Sequence, residues 1–523
     1  MGRRDPARER FVDGSRSTTP AAMAEGAAPA MLAAFLTDCR AAIGDAHVAT
    51  AEPVLADWRL CTFPWPGRPL AVVSPGTPEQ ARDCLRLAGL HGCPLNPVSR
   101  GRSWGLGSRS PPRDAVILDL SRLDRILDVD LEFGTVRVEP GVTFAQLQDE
   151  LTARGASFHL PAFGGPPGAS VLANALDRGE GSGAHGDRFG QLWDLDVALT
   201  TGERFRTGHG RFGNARLAPL HARPAGPLLE GLFSQASFGC VLSGRLGLAA
   251  TARHGCYLAF EIGGPEKLPA FVDAFRGLIR DRVVDVHDAF FWDGAKRIAS
   301  AGIAADLATP PPPEAFRDWL ATIALSAAHA MMLDCKKAIV IQTLLPFCTS
   351  FTIDEDGEPG SRNSGLRGFS DGSNVTSCYW AKPALPEGPL DPDRDRCGFL
   401  WLCPVVPLEG GALARLAELT QEAARRHGTF VMAGAEAASE RACNGYVSLA
   451  WDRDEPGADE RAMAAHAMLA EAFAQEGFHA YRPTLPGTRA APPTQGDWAP
   501  VLRRLRQALD PAGVLADGRV PEL

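Results

Sequence analysis

Hydrophobic and polar positions follow two patterns in the first half of the chain. Residues 69–74 and 116–120 are short, nearly unbroken apolar runs, which are typical of buried strands. Residues 135–139 instead alternate between apolar and polar side chains, as a half-exposed strand does. Apolar residues at helical spacing follow the first run, over residues 81–88. This half is therefore predicted to be α+β, built from short strand–helix units.

Two short polar motifs mark helix starts. Thr77 precedes Pro78 and Gln80, and Thr143 precedes Gln146. A threonine followed three residues later by glutamine predicts a capping box, in which each side chain binds a backbone N–H of the first turn. Proline is also favoured at the first helical position. A helix is therefore expected directly after each threonine.

A change in composition near Gly263 marks a candidate domain boundary. The glycines cluster before it, and longer helical patterns follow it, over residues 266–282, 313–333, 411–427 and 498–509. A stretch rich in proline, glycine and aspartate, residues 382–398, is expected to form a surface loop. The sequence therefore predicts a second domain after Gly263.

Composition and charge exclude several classes of protein. The chain has 523 residues and a net charge of −9, and it contains no run of basic residues, so nucleic acid is not an expected partner. Residues 1–23 lack the unbroken apolar segment of a secretory signal, and no stretch reaches about 18 consecutive apolar residues. We expect a cytoplasmic protein with a disordered start and no membrane segment.

The cysteines and histidines give no sign of a metal site. The twelve cysteines are scattered and include no C-x-x-C pair, which argues against a disulfide framework and against a zinc site. The twelve histidines show no metal-ligand spacing either, which argues against a zinc hydrolase. No bound metal is expected.

A glycine-rich loop over residues 96–108 is the first candidate for binding chemistry. Glycines at positions 101, 105 and 107 allow successive backbone N–H groups to converge, and such a concavity suits a pyrophosphate. The spacing is neither that of a Rossmann fingerprint nor that of a Walker loop. A tight turn without a ligand is the alternative.

Further sequence blocks occur in order around this loop, at residues 117–120, 138–143, 170–179, 235–242 and 510–519. Together with the loop they resemble the flavoenzyme family of vanillyl-alcohol oxidase and p-cresol methylhydroxylase (PCMH) over most of the chain. The resemblance implies an α+β, two-domain FAD-binding PCMH-type fold with a substrate-binding cap domain. It places the FAD-binding domain at residues 45–262, the cap at 263–485, a C-terminal segment that returns to the FAD domain at 486–523, and a disordered or helical extension at 1–44.

The resemblance also implies cofactor-binding residues. The amides of the loop would hold the diphosphate of FAD, at Arg100, Gly101, Arg102, Ser103, Trp104 and Gly105. The ribityl chain and ring would lie near Ser170, Asn174, Gly179 and Gly183, and the adenosine side near Gly239 and Val241. For each residue the alternative is a turn or strand position without ligand contact.

Tyr379 is the candidate for a covalent bond to FAD. The methylhydroxylase branch of the family tethers the flavin through a tyrosine at this position, whereas the oxidase branch uses a histidine where this chain has Phe399. A tether would raise the flavin potential and hold the ring in register. An ordinary packed tyrosine is the alternative.

Tyr481 and Arg482 are the candidate substrate-binding pair. By resemblance, an adjacent Tyr-Arg pair holds the phenolate oxygen of a para-substituted phenol. Such donors favour the ionised phenol, from which hydride is removed most easily, by charge-assisted hydrogen bonds. His185 replaces a family tyrosine and is a third candidate catalytic residue, as a pocket base, although a lone histidine beside glycines is more often structural.

Departures from the family pattern make simple cresol or vanillyl alcohol an unexpected substrate. Leu106 stands where relatives carry a third phenolate-binding tyrosine, and Gly165 or a neighbour stands where the oxidases carry an aspartate. Asn444 and Gly445 occupy the place of a histidine pair. The pocket is therefore expected to be more apolar than in relatives.

The sequence thus predicts an FAD-dependent oxidoreductase that removes a hydride from an alcohol, benzylic or phenol-activated carbon of a small aromatic or natural-product substrate. The alternatives are a 2-hydroxy-acid oxidoreductase of the same fold, in which Arg482 binds carboxylate, and a non-redox flavin-binding protein. A homodimer is expected by resemblance only. The electron acceptor, O2 or a partner protein, is left open.

Overall fold

The computed structural model describes residues 27–161, 164–183, 185–213, 216–235, 237–307, 313–355, 372 and 374–520. The expectation of a disordered start therefore concerns residues outside the described ranges. The described chain is α+β, as the sequence predicts, with its strands gathered into four main sheets and one small pair.

The first sheet has the strand order β1-β2-β4-β3. Its strands are β1 (Val48–Ala49), β2 (Pro69–Val73), β3 (Leu95–Val98) and β4 (Ala115–Asp119), and three helices pack on it, α1 (Ala27–Ile43), α2 (Glu52–Trp58) and α3 (Pro78–His91). β4 pairs in parallel with both β2 and β3. The cap predicted for α3 is present, because the Thr77 side chain accepts a hydrogen bond from the backbone N–H of Gln80 at 3.2 Å.

The second sheet is antiparallel, with the order β5-β6-β10-β8-β9. The strands of this region are β5 (Ile126–Asp130), β6 (Thr135–Val138), β7 (Phe158–His159), β8 (Leu192–Ala198), β9 (Arg204–Arg206), β10 (Cys240–Gly247) and β11 (Ala249–Ala250), of which β7 and β11 form a separate pair. The helices are α4 (Phe144–Ala153) and α5 (Val171–Leu176). The predicted capping box of Thr143 and Gln146 opens α4.

Beyond residue 253 a seven-stranded antiparallel sheet and a three-stranded sheet share one large apolar core. Their strands are β12 (His254–Gly263), β13 (Ala289–Asp293), β14 (Trp319–Ala327), β15 (Ser350–Asp354), β16 (Cys397–Leu402), β17 (Val405–Pro407), β18 (Phe430–Met432), β19 (Gly434–Ala437), β20 (Ala442–Gly445) and β21 (Val447–Asp452). The helices are α6 (Leu268–Arg280), α7 (Gly294–Ala301), α8 (Ala330–Leu344), α9 (Gly410–His427), α10 (Ala458–Gln475), α11 (Leu485–Arg489) and α12 (Trp498–Leu509).

The prediction of a helix over residues 313–333 is wrong. The centre of this stretch is β14, which lies between β12 and β13 in the seven-stranded sheet. Most side chains of β14 are buried on both faces, so its apolar residues show no alternation. A short run that is apolar throughout does not distinguish a strand from a buried helix by periodicity. The helices predicted at 266–282, 411–427 and 498–509 are present as α6, α9 and α12.

None of the described helices is both long and apolar enough to cross a bilayer.

The residues after α12 pack against the first sheet. The N–H of Leu95 donates to the carbonyl of Val514 at 2.9 Å, and the N–H of Ala516 donates to the carbonyl of Leu95 at 2.8 Å. Asp510 is 1 % exposed and fixes this turn, since its carboxylate accepts hydrogen bonds from the Thr200 hydroxyl at 2.8 Å and from the Leu515 N–H at 2.9 Å. The chain end thus adds to the edge of the sheet that precedes the glycine-rich loop.

Replacing Asp510 by alanine should destabilise the protein, because the Leu515 N–H and the Thr200 hydroxyl would be buried without a partner. Each such group costs about 1–3 kcal/mol. We expect a clear fall in the urea midpoint, whereas Glu440→Ala, which removes a carboxylate that pairs with the exposed Arg441, should change it little. Equal effects of the two substitutions would contradict the anchoring role of Asp510.

Candidate functional site

One cavity of about 1330 Å³ runs from the glycine-rich loop through the space between the first two sheets and the seven-stranded sheet. Pockets for a single small molecule measure about 300–1,000 Å³, so this cavity has room for a large cofactor together with a substrate. It is lined at one end by the loop and at the other by Tyr481, Arg482, Glu180, Glu436 and Tyr446.

The glycine-rich loop lies against strand β16. Gly105 has φ +79°, and a Cβ placed there would lie 2.5 Å from Cδ1 of Trp401 and 2.8 Å from Cδ1 of Phe399. Its carbonyl accepts a hydrogen bond from the Trp401 N–H at 3.1 Å. Glycine is therefore required here both for the left-handed backbone and for the close approach of two aromatic rings.

Thr62 forms hydrogen bonds both to the glycine-rich loop and to strand β16. Its fully buried hydroxyl accepts a hydrogen bond from the Gly105 N–H at 2.9 Å and donates one to the Phe399 carbonyl at 2.8 Å. The Phe399 N–H in turn donates to the Thr62 carbonyl at 2.9 Å. No motif in the sequence identifies Thr62, since its partners lie in two distant segments.

Residues 382–398, expected to be a surface loop, are exposed over most of 383–389, and the later part of the segment contacts the glycine-rich loop. Asp393 is 6 % exposed and accepts hydrogen bonds from Nε1 of Trp104 at 3.1 Å and from the Ser108 hydroxyl at 2.9 Å. Asp391 accepts one from Nη1 of Arg102 at 2.6 Å. Burial raises the pKa of Asp393 to about 7, although the hydrogen bond from Ser108 opposes this shift. The high number of aspartates in this segment was the only feature of the sequence that could have indicated these contacts.

At the opposite end of the cavity, Arg482 is held by an acidic partner. Its Nε and Nη2 donate to Oδ2 of Asp177 at 3.1 Å and 2.8 Å, and Arg519 donates to the other oxygen of the same carboxylate. Burial would raise the pKa of Asp177, but the charges of Arg519 and Arg482 lower it. Nη1 of Arg482 has no hydrogen-bond partner among the described residues.

Tyr481 is positioned through its backbone. Its N–H donates to the Cys403 carbonyl at 3.1 Å, and its carbonyl accepts a hydrogen bond from Nε2 of Gln235 at 3.2 Å. Burial, together with the charge of Glu180, raises the pKa of the Tyr481 phenol well above its usual value. The hydroxyl therefore stays protonated.

Next to this pair lies a cluster of acid–base side chains that the sequence did not reveal. The Tyr446 hydroxyl contacts the carboxylates of both Glu180 and Glu436, at 2.5 Å from Oε2 of Glu180, and Nδ1 of His287 lies 2.9 Å from Oε1 of Glu436. Asn444 donates to the other oxygen of Glu180. These residues come from four separate segments, so no spacing rule could have grouped them.

The protonation of this cluster is constrained by the single proton of a phenol. Tyr446 can donate to only one of the two carboxylates, and His287 is a further partner, of Glu436. Burial, and then the charge of Glu436, raise the pKa of Glu180 to about 8. Burial alone would lower the pKa of His287, but Glu436 raises it to about 9.

The cavity brings together eleven of the residues predicted to bind cofactor or substrate. They are Arg100, Gly101, Arg102, Ser103, Trp104, Ser170, Asn174, Gly239, Val241, Tyr481 and Arg482. Leu106 and Gly165, the two departures from the family pattern, line it as well. Their contacts with a ligand stay predictions.

Five predicted residues do not line the cavity. Gly105 lies behind the loop, as described above. Gly179 makes room for the side chain of Asn174, which a Cβ would approach to 2.2 Å, and Gly183, at φ +99°, donates its N–H to the His287 carbonyl at 3.0 Å. The fourth and fifth residues are His185 and Tyr379.

Both His185 and Tyr379 face protein rather than the cavity. Burial lowers the pKa of His185, and its Nδ1 has no hydrogen-bond partner among the described residues. Tyr379 is fully buried, and its hydroxyl donates to Asp395. Its neighbour Cys378 lines the cavity instead. A base role for His185 and a tether through Tyr379 stay predictions, and the tether would require the tyrosine to leave Asp395.

Comparisons with known proteins agree with this geometry. Residues 69–208 match the family model described as an FAD binding domain. The chain is 34 % identical over 526 residues to the 1'-carboxy-chondrochloren decarboxylase of Chondromyces crocatus, a match that covers 93 % of this chain and 96 % of that protein. It is 26 % identical over 503 residues to the flavoprotein subunit of 4-cresol dehydrogenase (hydroxylating) of Pseudomonas putida, covering 92 % and 94 % of the two chains.

Two solved structures share the fold at lower identity. A substrate-bound p-cresol methylhydroxylase superposes with a TM-score of 0.86 at 22 % identity, over 95 % of this chain and 98 % of that one. The 4-ethylphenol oxidase of Gulosibacter chungangensis, in complex with isoeugenol, gives 0.85 at 21 % identity with the same coverage. The chain therefore has the two-domain PCMH-type fold.

Replacing Gly105 by alanine should weaken cofactor binding at least tenfold, because the new Cβ would displace Trp401 and Phe399 and distort the loop. Gly155→Ala is the matched control, since Gly155 has a similar positive φ of +62° but no atom within 4 Å of the added Cβ. Flavin fluorescence titrations of the two apoproteins measure the difference. Equal affinities would show that the contact with β16 does not shape the binding loop.

Asp393 should make stability depend on pH. Because the folded-state pKa of about 7 lies above the usual 3.8, protonation of Asp393 favours the folded state. This contribution is complete below about pH 4 and is lost as the pH rises through about 7. We expect Asp393→Asn to flatten the fall in melting temperature between pH 5 and pH 8, whereas replacing the exposed Glu440 by glutamine should leave it unchanged. An unaltered slope in Asp393→Asn would contradict this assignment.

Proposed function

Because the chain belongs to the FAD-dependent oxidoreductase family of p-cresol methylhydroxylase and vanillyl-alcohol oxidase, we propose that it removes a hydride from an activated carbon of a small aromatic or natural-product substrate. The observation that carries this proposal is a continuous cavity that is lined both by the loop proposed to bind FAD and by the Tyr481–Arg482 pair. When bound, FAD supplies the acceptor for the hydride, which carries both electrons.

The fit of FAD to the chain rests on the loop and on the size of the cavity. Gly101 and Gly105 both have positive φ, at +61° and +79°, which turns the backbone of the loop into a concave surface. The side chains of Arg100 and Arg102 are held away from it by the Gly141 carbonyl and by Asp391, so the backbone remains available for a diphosphate. This supports the residues proposed to bind FAD, except Gly105, whose N–H already donates to Thr62.

Tyr481 and Arg482 are proposed to hold an acidic oxygen of the substrate. Asp177 fixes the orientation of the guanidinium and leaves Nη1 for a ligand, while the protonated Tyr481 hydroxyl is a second donor. Two donors that converge on one oxygen favour its ionised form, which makes a hydride on the conjugated carbon easier to remove. Leu106 supplies an apolar wall, so the substrate is proposed to be larger or more apolar than a simple cresol.

A carboxylated substrate is the second candidate. The Chondromyces relative, which is similar over almost the whole chain, is named a decarboxylase of a carboxy compound. In such an oxidative decarboxylation the C–C bond to the carboxylate would break, its electron pair would form a C=C bond as CO2 leaves, and FAD would be the acceptor of the hydride lost from the neighbouring carbon. Here the carboxylate would be the anion near Arg482, as in the predicted 2-hydroxy-acid alternative. A non-redox role is disfavoured, because both of these relatives are named as enzymes.

A spectroscopic screen separates these reactions. The purified protein with FAD is mixed anaerobically with phenols, 2-hydroxy acids and carboxylated phenols, and loss of the flavin absorbance at about 450 nm is followed together with CO2 release. Bleaching without CO2 supports hydride removal alone, and bleaching with equimolar CO2 supports oxidative decarboxylation. Absence of bleaching with all three classes would contradict the proposal. The electron acceptor, oligomeric state and cellular location stay predictions.

Tyr481→Phe and Arg482→Lys should each slow flavin reduction by about 10- to 100-fold, because a hydrogen bond to a charged group contributes about 1.5–3 kcal/mol and about 1.4 kcal/mol corresponds to tenfold in rate. Anaerobic stopped-flow measurements give the rate constant. Arg297→Lys is the control, since Arg297 also lines the cavity but pairs with Glu261. If all three variants reduce at the wild-type rate, the anion-binding role is wrong.

A further inference from the structure

Three potential metal ligands converge beside the substrate end of the cavity. One ligand atom from each of Glu180, His287 and Glu436 lies within 4.8 Å of the other two. Nδ1 of His287 and Oε1 of Glu436 are 2.9 Å apart. Adjacent ligands that are each about 2.1 Å from a metal ion are separated by about 3 Å, so this pair already has the spacing of two cis ligands.

The fold presents both carboxylates of this group to the cavity. Glu180 and Glu436 line it, whereas His287 and the nearby Arg188 do not, so the negative groups face the ligand and the positive groups lie behind them. Glu180 follows α5, His287 precedes β13 and Glu436 lies in β19, which makes the group a product of the packing between the two domains.

Other polar side chains of the cluster hold the two carboxylates in place. Tyr446 contacts both carboxylates, Asn444 donates to Glu180, and Nδ1 of His287 lies 2.9 Å from Glu436. With a cation between Glu180 and Glu436, Tyr446 and Asn444 would be outer partners that orient the two carboxylates.

We propose that Glu180, His287 and Glu436 bind a divalent first-row transition metal ion at the wall of the cavity. Two carboxylate oxygens and one imidazole nitrogen are a ligand set that suits Mn²⁺, Fe²⁺ or Zn²⁺. The side of the ion that faces the cavity is open to a water molecule or a substrate oxygen. The expectation of no metal site, drawn from sequence spacing alone, does not take this group into account.

The ion also has a role in the proposed function, on which this step depends. A divalent ion on Glu180 and Glu436 would balance their negative charge and give a phenolate or carboxylate oxygen next to Arg482 a place to coordinate.

Metal content tests the site without reference to catalysis. The FAD-loaded protein, purified without chelators, is analysed by mass spectrometry for bound metals, then stripped with EDTA and titrated with Mn²⁺ under electron paramagnetic resonance. We expect about one divalent ion per chain and at least a tenfold loss of Mn²⁺ affinity in Glu436→Gln and in His287→Asn. Glu261→Gln removes a carboxylate from the same cavity that is paired with Arg297, and it should bind Mn²⁺ like the unmodified protein.

The outcomes separate this proposal from the proposed function. Flavin absorbance and circular dichroism show whether each variant is folded and loaded with FAD, and Glu180→Gln replaces either variant that is not. Absence of a stoichiometric metal together with unsaturable Mn²⁺ binding would overturn the site and leave a proton-sharing cluster. Metal binding without bleaching by any substrate class would support the site and contradict the proposed function. Bleaching that survives removal of the metal would contradict its role in holding substrate.

Discussion

The packing of the glycine-rich loop against strand β16 is the constraint on which the binding site depends. The Gly105 carbonyl accepts a hydrogen bond from the Trp401 N–H, and the Gly105 N–H donates to the Thr62 hydroxyl. Because Gly105 has no side chain, two aromatic rings can pack against its backbone. Trp104 inserts into the apolar cluster that also holds Tyr379 and Phe399. The loop proposed to bind cofactor thereby packs into the cap core, so the same contacts would fix the position of the cofactor and the shape of the substrate pocket.

Charges are distributed unevenly along the cavity. The loop end offers backbone amides and two arginines whose side chains are held by Gly141 and Asp391. The far end concentrates Asp177 between two arginines and, beside it, the group of Glu180, Tyr446, Glu436 and His287. In a buried site unpaired charges are costly. Asp177 and Glu180 pair with side chains beyond residue 440 of the chain, whereas Glu436 and His287 pair with each other. A substrate that binds here would therefore contact side chains that already interact with one another.

The family relationship identifies the cofactor class more firmly than it identifies the reaction. Relatives with this fold carry names as different as a cresol dehydrogenase and a carboxy-compound decarboxylase, and a fold by itself does not decide function. The positions at which this chain departs from the pattern, Leu106, Gly165 and Asn444, either line the cavity or contact the acid cluster. The reaction is therefore proposed to depend on a few side chains around the cofactor site.

The sequence alone determined what depends on local spacing. Capping motifs placed the starts of α3 and α4, glycine positions marked the loop, and ordered blocks indicated FAD and the two-domain fold. It could not identify β14, because a fully buried strand has no alternation. Nor could it identify Thr62, Asp393 or the group of Glu180, His287 and Glu436, because residues far apart in the chain meet only when the sheets of the two domains pack together. Neighbouring residues are enough to predict a helix cap or a glycine-rich loop, whereas a buried acid–base cluster forms only in the tertiary structure.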